Sequence, residues 1–474
     1  MKVKLLTDNQ INKIHQASLK ILEDIGVYIP HDEILSRFIK IGAEVDVKKK
    51  IVKIPTSLIK EFIKKAGKNF TLYGRDLTEK AEFKLNSRNY NTSGGQAFWM
   101  ENVGTQRRYA NLNDVIIATR FADNLDQITI PGAMADPHEL PVNWRCVKVA
   151  SEMIKNTNKP IIFWFYDRKS AKYLVDLVIS LRSGEKQAEK YPLFYPLFEP
   201  VSPLSFPFNG IDLLFETARL NMPIQIGPMA QMGMSAPMTL AGTIAQENAE
   251  ILAGICITQL IKEGIPICYG GICHAFDMRT VQTIFSGPEQ AVFGIIMTEM
   301  GKFYGFPVYI NVGLTDSLCP DAQAGLECAI TLSLGIGAGA NIFGHFGISG
   351  MDQAASLDML MMQTEIISSI ESVNRDIDFN EDDFAFDIIK EAGPKGSFID
   401  KKHTRENYKK NLWMPNLLDR YNFENWIKKG ATTMQQRCQK RKEEILADLK
   451  ERTFDTDVVK DLENVVKNAK KHLS

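Results

Sequence analysis

The sequence of 474 residues lacks most of the short motifs that announce a chemistry. Its seven cysteines include no CxxC pair, and their odd number fits a reducing compartment better than a disulfide framework. Its seven histidines make no HxxxH or HExxH spacing, so the common zinc patterns are missing. GxGxxG, the phosphate-loop pattern and GxSxG are absent as well. Neither a dinucleotide fingerprint, a phosphate cradle nor a serine nucleophile elbow is therefore encoded. Excess charge of one sign is lacking too: 56 Lys and Arg face 57 Asp and Glu, for a formal net charge of −1. That balance speaks against a nucleic-acid footprint or a polybasic membrane contact. No run of about 18 apolar residues occurs, and the opening MKVKLLTDNQ turns polar too soon for a signal peptide. A cytoplasmic, globular, enzyme-sized chain is expected.

What the sequence does contain is a repeat of units. Apolar, β-branched or aromatic runs occur at residues 127–131, 161–166, 192–198, 224–227, 265–269, 306–312 and 340–343. Helix-like segments at 143–155, 170–182, 210–219, 246–262, 288–303, 321–334 and 352–370 alternate with them. Near-continuous apolar strands alternating with amphipathic helices predict a parallel sheet covered on its outer face. The seven units predict an α/β fold, a (β/α)8 TIM-like barrel over residues 113–385, with a doubly wound open sheet as the alternative. The eighth strand is expected in the short piece after Asn374, unless the barrel is irregular there. Residues 1–112 read as an N-terminal helical lobe plus a β-hairpin region, in which His15 and His31 sit among polar residues and read as surface. Residues 386–474 read as a loop and helical extension whose charged runs are solvated.

A closed barrel gathers the C-terminal ends of its strands on one face, where its chemistry is placed. In this register those ends carry Tyr166 and Asp167, Phe198 and Glu199, Gln231 with Ser235 and Thr239, His274, Asn311 with Asp316, and His345. One βαβ unit, residues 313–347, holds Asp316, Cys319, Asp321 and His345. Upstream, NYNTSGGQAFWMEN (residues 89–102) flanks Gly94 and Gly95 with Tyr90, Phe98 and Trp99. It is either a hairpin with core aromatics or one wall of a pocket. No residue stands out as catalytic, and no metal set is encoded. Such a chain orients a substrate for an external reagent or uses a cofactor brought by a partner. A metal-dependent barrel lyase or hydrolase and a non-catalytic binding protein stay open as alternatives.

Several stretches taken together resemble the trimethylamine:corrinoid methyltransferase family. They are SGGQAFW, the long run from PLSFPFNGIDLLFETARLN through GPMAQMGMSAPMTLAGTIAQENAEILAG, DMRT, GPEQA, TDSLCPDAQAG, GAGANIFG, EAGPKGSFI followed by HT, and LLDRYNFENW. The resemblance implies a TIM-like barrel that passes a methyl group from an amine to the cob(I)alamin of a separate corrinoid protein, with no cofactor held tightly by this chain. Archaeal trimethylamine members carry pyrrolysine in a loop that corresponds to the neighbourhood of Leu318–Cys319, where this sequence has ordinary residues. That departure aligns it with glycine-betaine-type members acting on quaternary amines such as betaines and carnitine. A quaternary ammonium leaves as a neutral tertiary amine and needs no general acid, which agrees with the missing acid/base pair. On this reading the substrate-binding residues are Tyr90, Phe98, Trp99, Tyr166, Phe198 and Phe346 as aromatic faces. His345, Gln231 and Asn311 serve as anchors for a carboxylate, and Gly313 and Asp316 lie at the corrinoid mouth. A homo-oligomer is also compatible with this reading.

Overall fold

The computed structural model describes residues 2–102, 106–377, 379–449 and 454–474. Six strands form one parallel sheet in the order Asn89–Thr92, Ile342–Phe346, Val308–Ile310, Ile267–Gly271, Ile224–Ile226 and Leu197–Phe198. Each of the five later strands is a β-branched or aromatic run of the kind that packs well on a pleat. Leu240–Ile261, Pro288–Tyr304 and Ala322–Ala338 connect successive strands, Leu357–Val373 follows the last, and together they cover the outer face. Among the described residues, no helix is long and apolar enough to cross a membrane.

The architecture is thus α/β, a half-barrel of parallel strands wrapped in helices. Beyond Asn89–Thr92 the pairing continues as isolated parallel bridges, Asn91 with Ile130 and Gly132 with Ile162. A hydrogen bond from Ile161 N–H to the Leu193 carbonyl (3.3 Å) leads back towards Leu197–Phe198. This side of the sheet carries Pro131, Pro160, Pro192 and Pro196. A proline has no N–H to give, which breaks the ladder into single bridges where the sequence predicts full strands.

Two expectations need correction. The strand beside Ile342–Phe346 comes from Asn89–Thr92, upstream of the helices, and not from the chain after Asn374. The described residues after Asn374 hold the short helices Glu381–Phe384 and Phe386–Ala392 instead. His15 and His31 are buried, not on the surface: His15 bonds the Tyr304 hydroxyl (2.9 Å), and His31 stacks between Phe208 and Phe215.

The sheet separates two sets of apolar side chains. Phe163, Phe198, Ile226, Tyr269, Val308, Ile310 and Phe343 join the main core under the helices. Their alternates Ile130, Ile162, Tyr195, Cys268, Tyr309 and Ile342 form a second cluster on the inner face. This is the period of two expected of strands covered on both faces. The hairpin Phe70–Tyr73 and Lys80–Phe83 inserts Leu72, Ala81 and Phe83 into that inner cluster. It is tied to strand beginnings by the Asn341 side chain to the Lys84 carbonyl (2.7 Å), Asn89 to Glu82 (2.7 Å) and Tyr73 N–H to Pro192 (2.7 Å). The hairpin therefore plugs the N-terminal end of the inner face.

One buried carboxylate gathers the loop at residues 416–418. Glu365, buried on the helix Leu357–Val373, accepts the N–H groups of Asn416 (3.0 Å), Leu417 (2.9 Å) and Leu418 (3.0 Å). Glu365→Ala leaves these donors unpaired, at about 1–3 kcal/mol for a buried polar group. Hydrogen exchange at residues 416–418 should accelerate at least tenfold in that variant, while the sheet keeps its protection. Of the charged segment 431–473, residues 450–453 lie outside the described residues.

Candidate functional site

Towards the C-terminal ends of the strands, the inner face changes from apolar to polar. Above Tyr309 and Ile342 come Asn91, Trp164, Glu199, Asn311 and His345, with Asp352 arriving from the loop between Ile348–Ser349 and Ala354–Ala355. Glu199 is exposed to solvent, and Asp352, His345 and Trp164 are half-buried. The two carboxyls and His345 are nevertheless enclosed by protein on nearly every side. Side chains that are both accessible and enclosed line an internal chamber.

Each member is fixed by a neighbour. Trp164 donates its indole N–H to the Gly95 carbonyl (2.8 Å), and its ring lies against Gly94 and Gly95, where an added Cβ would come within 3.3 and 3.1 Å. Its ring centre is 6.0 Å from that of His345, and Tyr309 meets His345 edge-on at 5.9 Å. Gln96 donates to Asp352 (2.7 Å) and to Ser93 (2.8 Å). His274 has its Nδ1 at 3.0 Å from the Ile284 carbonyl, which only accepts, so Nδ1 carries the proton. Its Nε2 is then the acceptor facing the Asn311 amide at 3.4 Å.

The electrostatics follow from enclosure. Burial pushes His274 down to about 4, and burial with the charge of His274 does the same to His345. Both are neutral rings at physiological pH. Burial, then the charge of Asp352, lifts Glu199 to about 7. Burial lifts Asp352 to about 6 against the opposing hydrogen bond from Gln96. The loops of the rim are pinned by another carboxyl: Glu247, fully buried, accepts the N–H groups of Ala230 (3.0 Å) and Ile272 (3.0 Å).

Of the residues expected from sequence, His345 and Asn311 reach the chamber. Gln231 stands at its rim, paired in register with His274 and accepting from the Thr283 hydroxyl (2.9 Å). Asp316 also sits at the rim, accepting the Phe285 N–H (2.8 Å). Tyr166 donates to Asp136 (2.8 Å), which is tied in turn to Arg145 (2.7 Å). The others lie elsewhere. Tyr90, Phe198 and Phe346 point into the main core, with the Tyr90 hydroxyl on Glu371. Gly313 is buried behind Phe346. Phe98 and Trp99 belong to a separate four-strand sheet, Phe98 stacked on Tyr109 at 4.9 Å. The sequence reading did not single out Trp164, Asp352, Gln96 or Tyr309, and it preferred Phe198 to its neighbour Glu199. Strand alternation was the available signal: an apolar Phe198 facing the helices puts Glu199 on the inner face. Among the described residues, no group of three His, Cys, Asp or Glu side chains is arranged to hold a metal ion.

Comparison with known proteins agrees with this architecture. The model of the trimethylamine methyltransferase (MTTB) family matches residues 1–474. A glycine betaine methyltransferase of Desulfitobacterium hafniense is 30% identical over 459 residues, covering 96% of this chain and 95% of that protein. A trimethylamine methyltransferase MttB of Methanosarcina barkeri is 28% identical over 491 residues, covering 99% and 96%. The crystal structure of the monomethylamine methyltransferase MtmB of Methanosarcina barkeri superposes with a TM-score of 0.53 at 11% identity, over 95% of this chain and 89% of that one. The likeness to MtmB concerns the fold alone.

Proposed function

The chain belongs to the trimethylamine methyltransferase family, and from that premise we propose that it moves a methyl group from a quaternary amine of the betaine type to the corrinoid of a partner protein. The single observation that carries the reading is the full-length similarity to a glycine betaine methyltransferase. The chamber is consistent with it, because it offers aromatic faces to a cation. A partner-borne corrinoid supplies a Co(I) nucleophile, and what remains for this chain is to bind, align and keep water away.

Trp164 and His345 supply ring faces to the methylated nitrogen, Trp164 held by Gly95 and His345 neutral. A cation over such a face gains about 0.5–2 kcal/mol. The second N–H of the Asn311 amide, left over from its contact with His274, provides a neutral donor for a carboxylate. Since the charge on nitrogen fades as the methyl leaves, a loose hold serves better than a tight one, because only differential stabilisation speeds the step. Alignment of methyl and metal is the main contribution expected of the protein.

The finer architecture belongs to this proposal as well. The bridges Asn91–Ile130 and Gly132–Ile162 and the bond Ile161–Leu193 support closure of the sheet into an eight-strand barrel, with Asn89–Thr92 as its first strand. Its N-terminal lobe and C-terminal extension then flank the barrel, whose mouth is formed by the loops after the strands. Met234, Met238, Met278, Val281 and Leu318 are exposed on those loops and give the carrier protein an apolar rim to dock on. We place the reaction in the cytoplasm.

The test is a panel of methylated amines incubated with the protein and cob(I)alamin, following methylcobalamin by absorbance. Glycine betaine or a relative should react and trimethylamine hardly at all. Robust turnover of trimethylamine, or of no quaternary amine, would overturn the reading.

A further inference from the structure

We propose that Glu199 and Asp352 form a paired carboxyl subsite that receives the substrate's quaternary ammonium and gives up a proton as the cation binds. The inference rests on the chamber serving a cationic amine, as argued above, and assigns the charge selectivity of that chamber to two residues.

Three observations converge on the pair. The first is position: Glu199 leaves the end of Leu197–Phe198 on the inner face, and Asp352 enters from the loop that follows Ile342–Phe346. The charges act on each other across the chamber. The second is the absence of a counter-ion. No lysine or arginine among the described residues forms an ion pair with either carboxyl; Asp352 has only the amide of Gln96 (2.7 Å). Enclosed carboxylates without a partner are costly unless they are protonated or meet a cation. The third is Tyr309. It is fully buried, its hydroxyl has no hydrogen-bond partner, and burial first, then the charges of Tyr195, Asp352 and Glu199, oppose its ionisation. A buried hydroxyl left without a partner, within electrostatic range of two carboxyls that lack a counter-ion, marks a place built for something else to occupy.

A quaternary ammonium fits that place. It cannot donate a hydrogen bond, so it is attracted by field alone, and a pair of carboxyls opposite an indole face supplies one. The free chamber holds at least part of one proton on the pair near neutral pH. When the cation arrives, it favours the ionised forms, and the displaced proton leaves through the mouth to bulk water. The sign follows directly. Affinity is highest above pH about 7, where Glu199 is already ionised, and falls as pH drops through about 7 and then about 6, where Asp352 also gains a proton. The other titratable groups facing the pair stay out of this window. His345 and His274 lose their protons near 4, and burial holds Tyr195, Tyr309 and Cys268 protonated far above it.

The experiment is calorimetric titration of the full chain with tetramethylammonium, a cation without a carboxylate, between pH 6 and pH 8. Each titration is run in two buffers of different ionisation enthalpy. We expect proton release on binding near pH 6.5 and a Kd about tenfold weaker at pH 6 than at pH 8, as one proton with a pKa of about 7 requires. Glu199→Gln should flatten the profile and bind more weakly at pH 8, whereas Glu199→Asp should keep a pH-dependent Kd. A wild-type Kd that is unchanged across this range without proton release overturns the proposal, even if the variants do not fold. Because the readout is binding, it fails separately from the methyl-transfer reading. Betaine turnover with pH-independent binding sinks the pair alone, and proton-linked binding without turnover sinks only the reaction.

Discussion

Trp164→Ala should raise the KM for the quaternary amine about tenfold and lower kcat/KM about a hundredfold, with the sheet still folded. The KM part corresponds to roughly 1.4 kcal/mol, within the range of a cation–aromatic contact. The further loss comes from alignment, because a cation that is no longer held against a wall samples poses in which its methyl group does not face the mouth. The indole is fixed twice, by its bond to the Gly95 carbonyl and by its packing on Gly94 and Gly95. Trp164→Phe should therefore lie between wild type and Ala, keeping a face but losing the anchor. Steady-state kinetics of the three proteins, with a thermal melt as control, decide the matter. A Trp164→Ala enzyme with wild-type KM would remove the indole from the site.

Gly132→Ala should be strongly destabilising. Gly132 follows the bridge between Asn91 and Ile130, and a Cβ built there would come 2.0 Å from the Ser93 carbonyl oxygen and 2.5 Å from that of Thr92. Both obstacles are backbone atoms and cannot swing aside as a side-chain end does. Its own N–H already accepts no freedom to shift, since it donates to the Thr92 hydroxyl at 2.6 Å. Overpacking a core costs about 1–3 kcal/mol and more where the backbone must move, so a loss of about 3 kcal/mol is expected. A urea titration monitored by tryptophan fluorescence would measure it. An unchanged midpoint would mean that Asn89–Thr92 and the 130–132 segment lie further apart than described.

The helices and most strands were legible because their signals are local. The predicted 288–303 and the observed Pro288–Tyr304 share Pro288 at the start and differ by one residue at the end, where Gly305 adopts a left-handed conformation. Asn89–Thr92 was not legible as a sheet strand. Its inward groups are polar, and all four residues are buried, Asn89 by bonding the carbonyls of Glu82 and Asn341 where an apolar strand would use contact. Long-range pairing of this kind leaves no periodic trace. The candidate site was half legible for a related reason. His345 and Asn311 were found from their places after apolar runs. Asp352 sits in a turn of positive φ within a loop, and nothing nearby in sequence ties it to Gln96, 256 residues away. Aromatic residues drew attention as cage members, yet Tyr90, Phe198 and Phe346 serve the core, because a large ring beside a strand is as useful under a helix as in a pocket.

The plug formed by Phe70–Tyr73 and Lys80–Phe83 makes the chamber a cul-de-sac. On the proposed reaction, amine, demethylated product and corrinoid all share one doorway. Traffic through a single doorway has to queue: the amine enters first, the carrier covers it second, and the spent amine waits until the carrier departs. A carrier in large excess would then shut the door on an empty room, so that the enzyme is throttled by its own methyl acceptor and relieved by more amine.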